Sequence, residues 1–149
     1  HDIDLARWWL GSEVTRFSAS GAWVDEYEAP DHLWLHMDHE CGAHTMVEIS
    51  YSYTHTAADP RYHLTYELIG SEGVISYVME SNQLEVRNTA GTRTMEFGPG
   101  KNFDGMYGAY ARALAGEQTD ELATGVDGLA ATRIARAATE QVIAGRHAS

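Results

Sequence analysis

Apolar residues recur at helical spacing at the start of the chain, then at every second position through much of its middle. Ile3, Leu5, Trp8, Trp9 and Leu10 predict an opening helix that buries these side chains and stops at Gly11, a natural left-handed terminator. From Glu13 the period is two. Residues 14–23 read as a strand, followed by an acidic turn and Pro30. In 32–39, Leu33, Leu35 and Met37 alternate with Trp34, His36 and Asp38. In 44–53, Val47, Ile49, Tyr51 and Tyr53 alternate with Met46, Glu48, Ser50 and Ser52.

A loop over 54–60 leads to a strand over 62–69, with Tyr62, Leu64, Tyr66 and Leu68 on one face. Gly70-Ser71-Glu72-Gly73 turns the chain into 74–79, and 83–88 pairs with 92–97 around Thr89-Ala90-Gly91. Links this short make an antiparallel meander. Gly98-Pro99-Gly100 breaks the pattern. Helices follow over 103–115, with Met106, Tyr107, Tyr110 and Leu114 at helical spacing, and over 126–144, with Leu129, Ile134, Ala137, Ala138 and Val142. Thr124-x-x-Asp127 has the form of a capping box, and Gly116 and Gly145 are the expected stops. Strands followed by helices predict an α+β fold: a mostly antiparallel sheet of about six to seven strands, helices on one face, the second face open. That open face carries Trp34, His36, Glu48 and Ser50, amphipathic enough for a partner or ligand.

Composition narrows the function. The 149 residues suit one domain, here 1–149. No apolar run is long enough to form a membrane-spanning helix. A net charge of −12 argues against nucleic acid and against anionic membrane surfaces. Cys41 is the only cysteine, which excludes an internal disulfide, a Cys-rich zinc site and a Cys-x-x-Cys pair, and fits a reducing cytoplasm. The opening helix has neither a capping residue before it nor an initiator Met, so the chain reads as the C-terminal part of a longer protein.

Three landmarks occur in order: His1-Asp2-Ile3-Asp4-Leu5-Ala6-Arg7-Trp8-Trp9-Leu10-Gly11, Leu68-Ile69-Gly70-Ser71-Glu72-Gly73-Val74-Ile75, and Val126-Asp127-Gly128-Leu129 before an Ala-rich helix. Together they resemble the C-terminal domain of the glucose–fructose oxidoreductase / inositol dehydrogenase (Gfo/Idh/MocA-type) family. The resemblance implies a two-domain protein in which a Rossmann domain binds NAD or NADP. The second domain's open sheet face helps form the substrate pocket and the homo-oligomer. The activity implied is interconversion of a hydroxyl and a carbonyl on a sugar or cyclitol. The nucleotide fingerprint, the family's catalytic lysine and an aspartate one turn before the histidine all fall outside this chain. His1 is the member of the catalytic set it carries, so the fragment alone is expected to bind no NAD(P) and to turn nothing over.

The chemistry agrees with this assignment. Oxidising a secondary alcohol needs a proton acceptor that titrates near working pH, which histidine does without tuning. Asp4, one turn on, is read as structural, holding a helix-start charge, rather than as orienting the imidazole. Trp8 and Trp9 are read as core and interface packing. The loop 54–63 holds His55, Asp59, Arg61, Tyr62 and His63. Arg61, Tyr62 and His63 are the candidate substrate residues, because a sugar needs multidentate hydrogen bonders and an aromatic face. Lys101 and Asn102 are weaker candidates. No metal is expected. His32 and His36 share a face but lie about 13 Å apart along a strand, too far for one ion; only a pair across the hairpin, such as His39 with His44, could meet.

Two other readings stay open. One is a non-enzymatic small-molecule-binding or oligomerisation module of the same fold. The other is a metal-dependent enzyme using the histidine-rich sheet.

Overall fold

A computed structural model describes residues 1–52, 57–96, 101–119 and 122–148, with His147 and Ala148 described by backbone alone. The order is α1 (Asp2–Leu10), β1 (Val14–Ala22), β2 (His32–His39), β3 (His44–Ser50), β4 (Thr65–Gly70), β5 (Gly73–Val78), β6 (Gln83–Asn88), β7 (Gly91–Glu96), α2 (Phe103–Leu114) and α3 (Gly125–Ala148). All strand pairs are antiparallel, as the meander predicts, and the fold is α+β.

The strands divide into two sheets, β1-β2-β3 and β4-β5-β6-β7, rather than running as one. Alternation tells which side chains share a face, not which strands share hydrogen bonds. β3 ends at Ser50 and β4 begins only at Thr65, so these two consecutive strands do not pair.

The core lies on one face of the first sheet. Ile3 and Ala6 of α1, Ala131 and Ala138 of α3, and Leu35 and Met37 of β2 form one buried cluster. The register puts Phe17, Ala19, Leu33 and Val47 on the same face, and all four pack against the cluster. Met37 is 0% exposed. Burying such a side chain stabilises the fold by about 1.5–3 kcal/mol. Among the described residues α3 packs on β1 and α1 on β3. α2 is a different case: it buries Ala109 but exposes Phe103, Met106, Tyr107, Tyr110 and Leu114.

Gly11 caps α1 in the left-handed region (φ 55°). The capping box forms at α3, where the Asp127 carboxylate accepts from Thr124 N (2.8 Å) and Thr124 Oγ1 (2.6 Å). Gly70 pairs with Gly73 at the β4–β5 turn. A Cβ at Gly73 would collide with the Arg87 carbonyl of β6, so close strand approach demands glycine there.

Three expectations need correction. Gly145 does not end α3, which runs on to Ala148; a lone glycine costs too little to stop a long helix. Leu5 is only half-buried, and Trp8 and Trp9 are 60% and 40% exposed, so they are not core. A nine-residue helix buries one narrow stripe, here Ile3, Ala6 and Arg7 at i, i+3 and i+4, and the tryptophans fall on its flanks. His55, Tyr53, Phe97 and the Gly98-Pro99-Gly100 break lie outside the described residues.

Candidate functional site

His1 occupies the N-cap of α1, with no side-chain cap bond, and its imidazole is 79% exposed. Its Nδ1 lies 3.2 Å from Asp2 Oδ1. The Tyr66 hydroxyl, from β4, donates to that same oxygen at 2.9 Å. Trp9 meets the Tyr66 ring edge-on at 5.3 Å, and the ring of Tyr77 of β5 stacks with it at 6.4 Å. Burial first, and the bond to Asp2 second, push the Tyr66 phenol far above its ordinary value, with smaller contributions from Tyr62 and Tyr77. The phenol therefore remains a donor at any physiological pH.

Asp4 has the structural role expected of it. Its Oδ1 accepts from Arg7 at 3.2 Å. Arg7 is 7% exposed and also donates to both oxygens of Glu13 and to Asp127 of α3. This cation fixes α1, which carries His1, against the last helix. The sequence reading missed it; an arginine on the inward stripe of an amphipathic helix was the available signal.

Arg61, Tyr62 and His63 precede β4 and are exposed. Arg61 pairs loosely with Asp59 (3.5 Å), and His63 Nδ1 pairs with Glu80 Oε1. Tyr62 is 72% exposed. Among the described residues neither Arg61 nor His63 forms a hydrogen bond with His1. Asn102 caps α2, accepting from Gly105 N at 3.0 Å.

The open face of the first sheet holds a shallow concavity lined by Arg16, Phe17, Ser18, His36, Asp38 and His44. His44 Nδ1 donates to Asp38 Oδ1 (2.8 Å), and Arg16 donates to Oδ2 (2.7 and 2.6 Å). The His44 bond first, and then Arg16, hold the Asp38 carboxyl below its usual range. His36 and His44 approach to 3.4 Å. His32 stacks on Trp34 and pairs with Glu48 (2.9 Å). His39 and His44, a pair that the hairpin could have brought together, do not meet. His39 points to the helical face, 4% exposed, bonded to Ser12 O and Thr45 Oγ1, because strand parity sends these two histidines to opposite faces. Among the described residues no group of three or more His, Cys, Asp or Glu could hold a metal ion.

A dinucleotide needs a helix N-terminus open to its pyrophosphate. The first turns of the three helices carry Asp2 and Asp4, Asp104, and Asp127. A pyrophosphate would meet a like charge at each of these helix starts.

A small antiparallel α+β domain is what these elements define. The chain belongs to the GFO/IDH/MocA C-terminal domain family, whose profile matches residues 1–76. No curated protein sequence matches. Among solved structures, the fold is similar to UDP-N-acetylglucosamine 3-dehydrogenase GnnA from Acidithiobacillus ferrooxidans, with TM-score 0.79 and 16% identity over 97% of this chain and 45% of that one. It is also similar to an oxidoreductase from Agrobacterium radiobacter in complex with NAD+, L-tartaric acid and magnesium, with TM-score 0.76 and 21% identity over 97% and 45%. A levoglucosan dehydrogenase complexed with NADH and levoglucosan matches at TM-score 0.53 and 24% identity, over 65% of this chain and 29% of that one. The chain thus spans less than half the length of each of these proteins. No helix is long and apolar enough to cross a membrane among the described residues.

Proposed function

We propose that residues 1–149 form the C-terminal domain of a longer NAD(P)-dependent oxidoreductase that interconverts a hydroxyl and a carbonyl on a sugar or cyclitol. The observation that carries this reading is the extent of the family match: residues 1–76 include His1, Arg61, Tyr62 and His63. His1 is the proton acceptor for the hydroxyl; Arg61, Tyr62 and His63 line part of the substrate pocket. Such chemistry asks for a proton acceptor that works near neutral pH, and histidine is the side chain suited to it. The nicotinamide is held by a preceding Rossmann domain, since the helix starts of this chain are already acidic. The protein is cytoplasmic and associates through the open face of β1-β2-β3.

The experiment is steady-state oxidation of sugars and cyclitols by the full-length protein and its His1→Ala variant. Loss of a general base costs about 10²–10⁴-fold in kcat/KM. A variant within about threefold of the parent would remove His1 from catalysis. With the 149-residue chain alone, saturable quenching of tryptophan fluorescence by micromolar NADH would contradict the assignment of the cofactor to another domain.

A further inference from the structure

His36 of β2 and His44 of β3 are ligand-type side chains that the proposed activity does not use. Strand parity turns both away from the buried cluster around Leu35 and Met37. The register sets His44 opposite Asp38, two residues beyond His36, so the two rings meet on a diagonal. Their centroids are 5.6 Å apart, with the planes tilted by 31°. His36 Nδ1 lies 3.4 Å from His44 Nε2. That is long for an N–H donor, which usually sits within about 3.2 Å of its acceptor. It matches a different geometry. Two imidazole nitrogens on one tetrahedral zinc, each at about 2.0–2.1 Å from the ion, stand about 3.3–3.4 Å apart.

The surroundings suit a cation. A carboxylate is ionised at neutral pH and can then only accept hydrogen bonds. His44 Nδ1, 2.8 Å from Asp38 Oδ1, therefore carries the proton. That leaves the lone pair on His44 Nε2, the atom nearest His36. A carboxylate behind an imidazole fixes the ring and strengthens it as a metal ligand. Arg16 lines the same concavity, but its guanidinium is engaged by Asp38 Oδ2 at 2.7 and 2.6 Å. The residues opposite His36 on β1 and β3 are Ser18 and Met46, neither of them charged. The net charge of −12 favours cations over the whole surface.

We propose that His36 and His44 form a two-nitrogen binding site for a divalent transition-metal ion of the zinc type. His36 Nδ1 and His44 Nε2 are the ligands, Asp38 orients His44 from behind, and water fills the other positions. Two protein ligands make this an open site, weaker than a closed structural one. Imidazole ligands select zinc, copper or nickel over magnesium and calcium, which take oxygen. The proposal does not rest on the oxidoreductase reading.

The test is titration of the full-length protein with zinc alone at neutral pH, followed by calorimetry and by nitrogen-15 NMR of the imidazoles. In the parent, micromolar zinc shifts His36 Nδ1 and His44 Nε2 and leaves His32, on the same face, where it was. His36→Ala and His44→Ala each abolish this binding event. Asp38→Asn weakens it by about 10-fold, the low end of what a lost outer-shell partner costs, and His32→Ala leaves it unchanged. Excess magnesium does not displace the zinc. No saturable uptake below millimolar zinc overturns the proposal. So does uptake that either His36→Ala or His44→Ala retains at parental affinity, or that magnesium displaces. Should a variant fail to fold, the parent alone decides: zinc that leaves the His36 and His44 signals unmoved is bound elsewhere, and the site is refuted.

Discussion

The Arg7 guanidinium spans both carboxylate oxygens of Glu13, Nε at 2.8 Å and Nη2 at 2.6 Å. This two-pronged pairing fixes orientation as well as distance. Asp4 (3.2 Å) and Asp127 (3.3 Å) complete a ring of three carboxylates around one buried cation. Removing a buried partner leaves charges facing each other, at a cost of about 3–5 kcal/mol. The carboxylates here are 30%, 58% and 34% exposed, so water recovers part of that, and Arg7→Met should cost about 2–3 kcal/mol. Urea denaturation at pH 7 measures it. Arg7→Lys should fall between the two, because an ammonium cannot span both Glu13 oxygens.

Acid should reveal the same pairing. Arg7 holds the Glu13 carboxyl below its ordinary 4.5, chiefly by hydrogen bonding. Thr124 first, and Arg7 less strongly, hold Asp127 below its ordinary 3.8. A carboxyl lowered in the folded state contributes stability that is fully present above its unfolded value and lost as pH falls through its folded one. Stability should therefore decline once pH drops below 4.5 and 3.8. The penalty of Arg7→Met should be largest at neutral pH and shrink with acid. Equal penalties at pH 7 and pH 3 would sink this account.

Two glycines should respond to alanine in opposite directions. Gly21 lies on the helical face of β1, where an added Cβ would come within 2.7 Å of Val142 Cγ1 and 2.9 Å of Pro30 Cβ. Gly21→Ala should destabilise by about 1–3 kcal/mol through overpacking. Val142→Ala in the same chain should relieve part of it. Gly128, inside α3, has nothing within 4 Å of its would-be Cβ. Gly128→Ala should stabilise by about 0.5–1 kcal/mol through helix propensity. Thermal melts of both variants check the pair.

Period and punctuation made most elements legible. β2 and β6 run over the predicted residues, and the Thr124–Asp127 capping box forms as read. Element ends and sheet membership were less accessible. Nothing in the pattern of Tyr62, Leu64, Tyr66 and Leu68 announces that β4 turns away from β3, because hydrogen-bond partners are chosen by tertiary packing. For the site, the sequence offered His1 and the segment before β4 as candidates. The contacts of Asp2 with Tyr66, and of Arg7 with Asp127, join residues far apart in sequence, and no local pattern encodes such pairs.

Arg7 and Asp127 are 120 positions apart, and α1 buries Ile3 and Ala6 against a cluster that α3 completes with Ala131 and Ala138. α1 therefore has to wait for α3. During synthesis the apolar stripe and the cation of α1 stay wet until α3 has emerged. Closure of so distant a contact comes late and is slow. A translation stall or nonsense codon near Gly125 would release a chain with both sheets encoded and no lid for its opening helix, a ready target for chaperones and proteases.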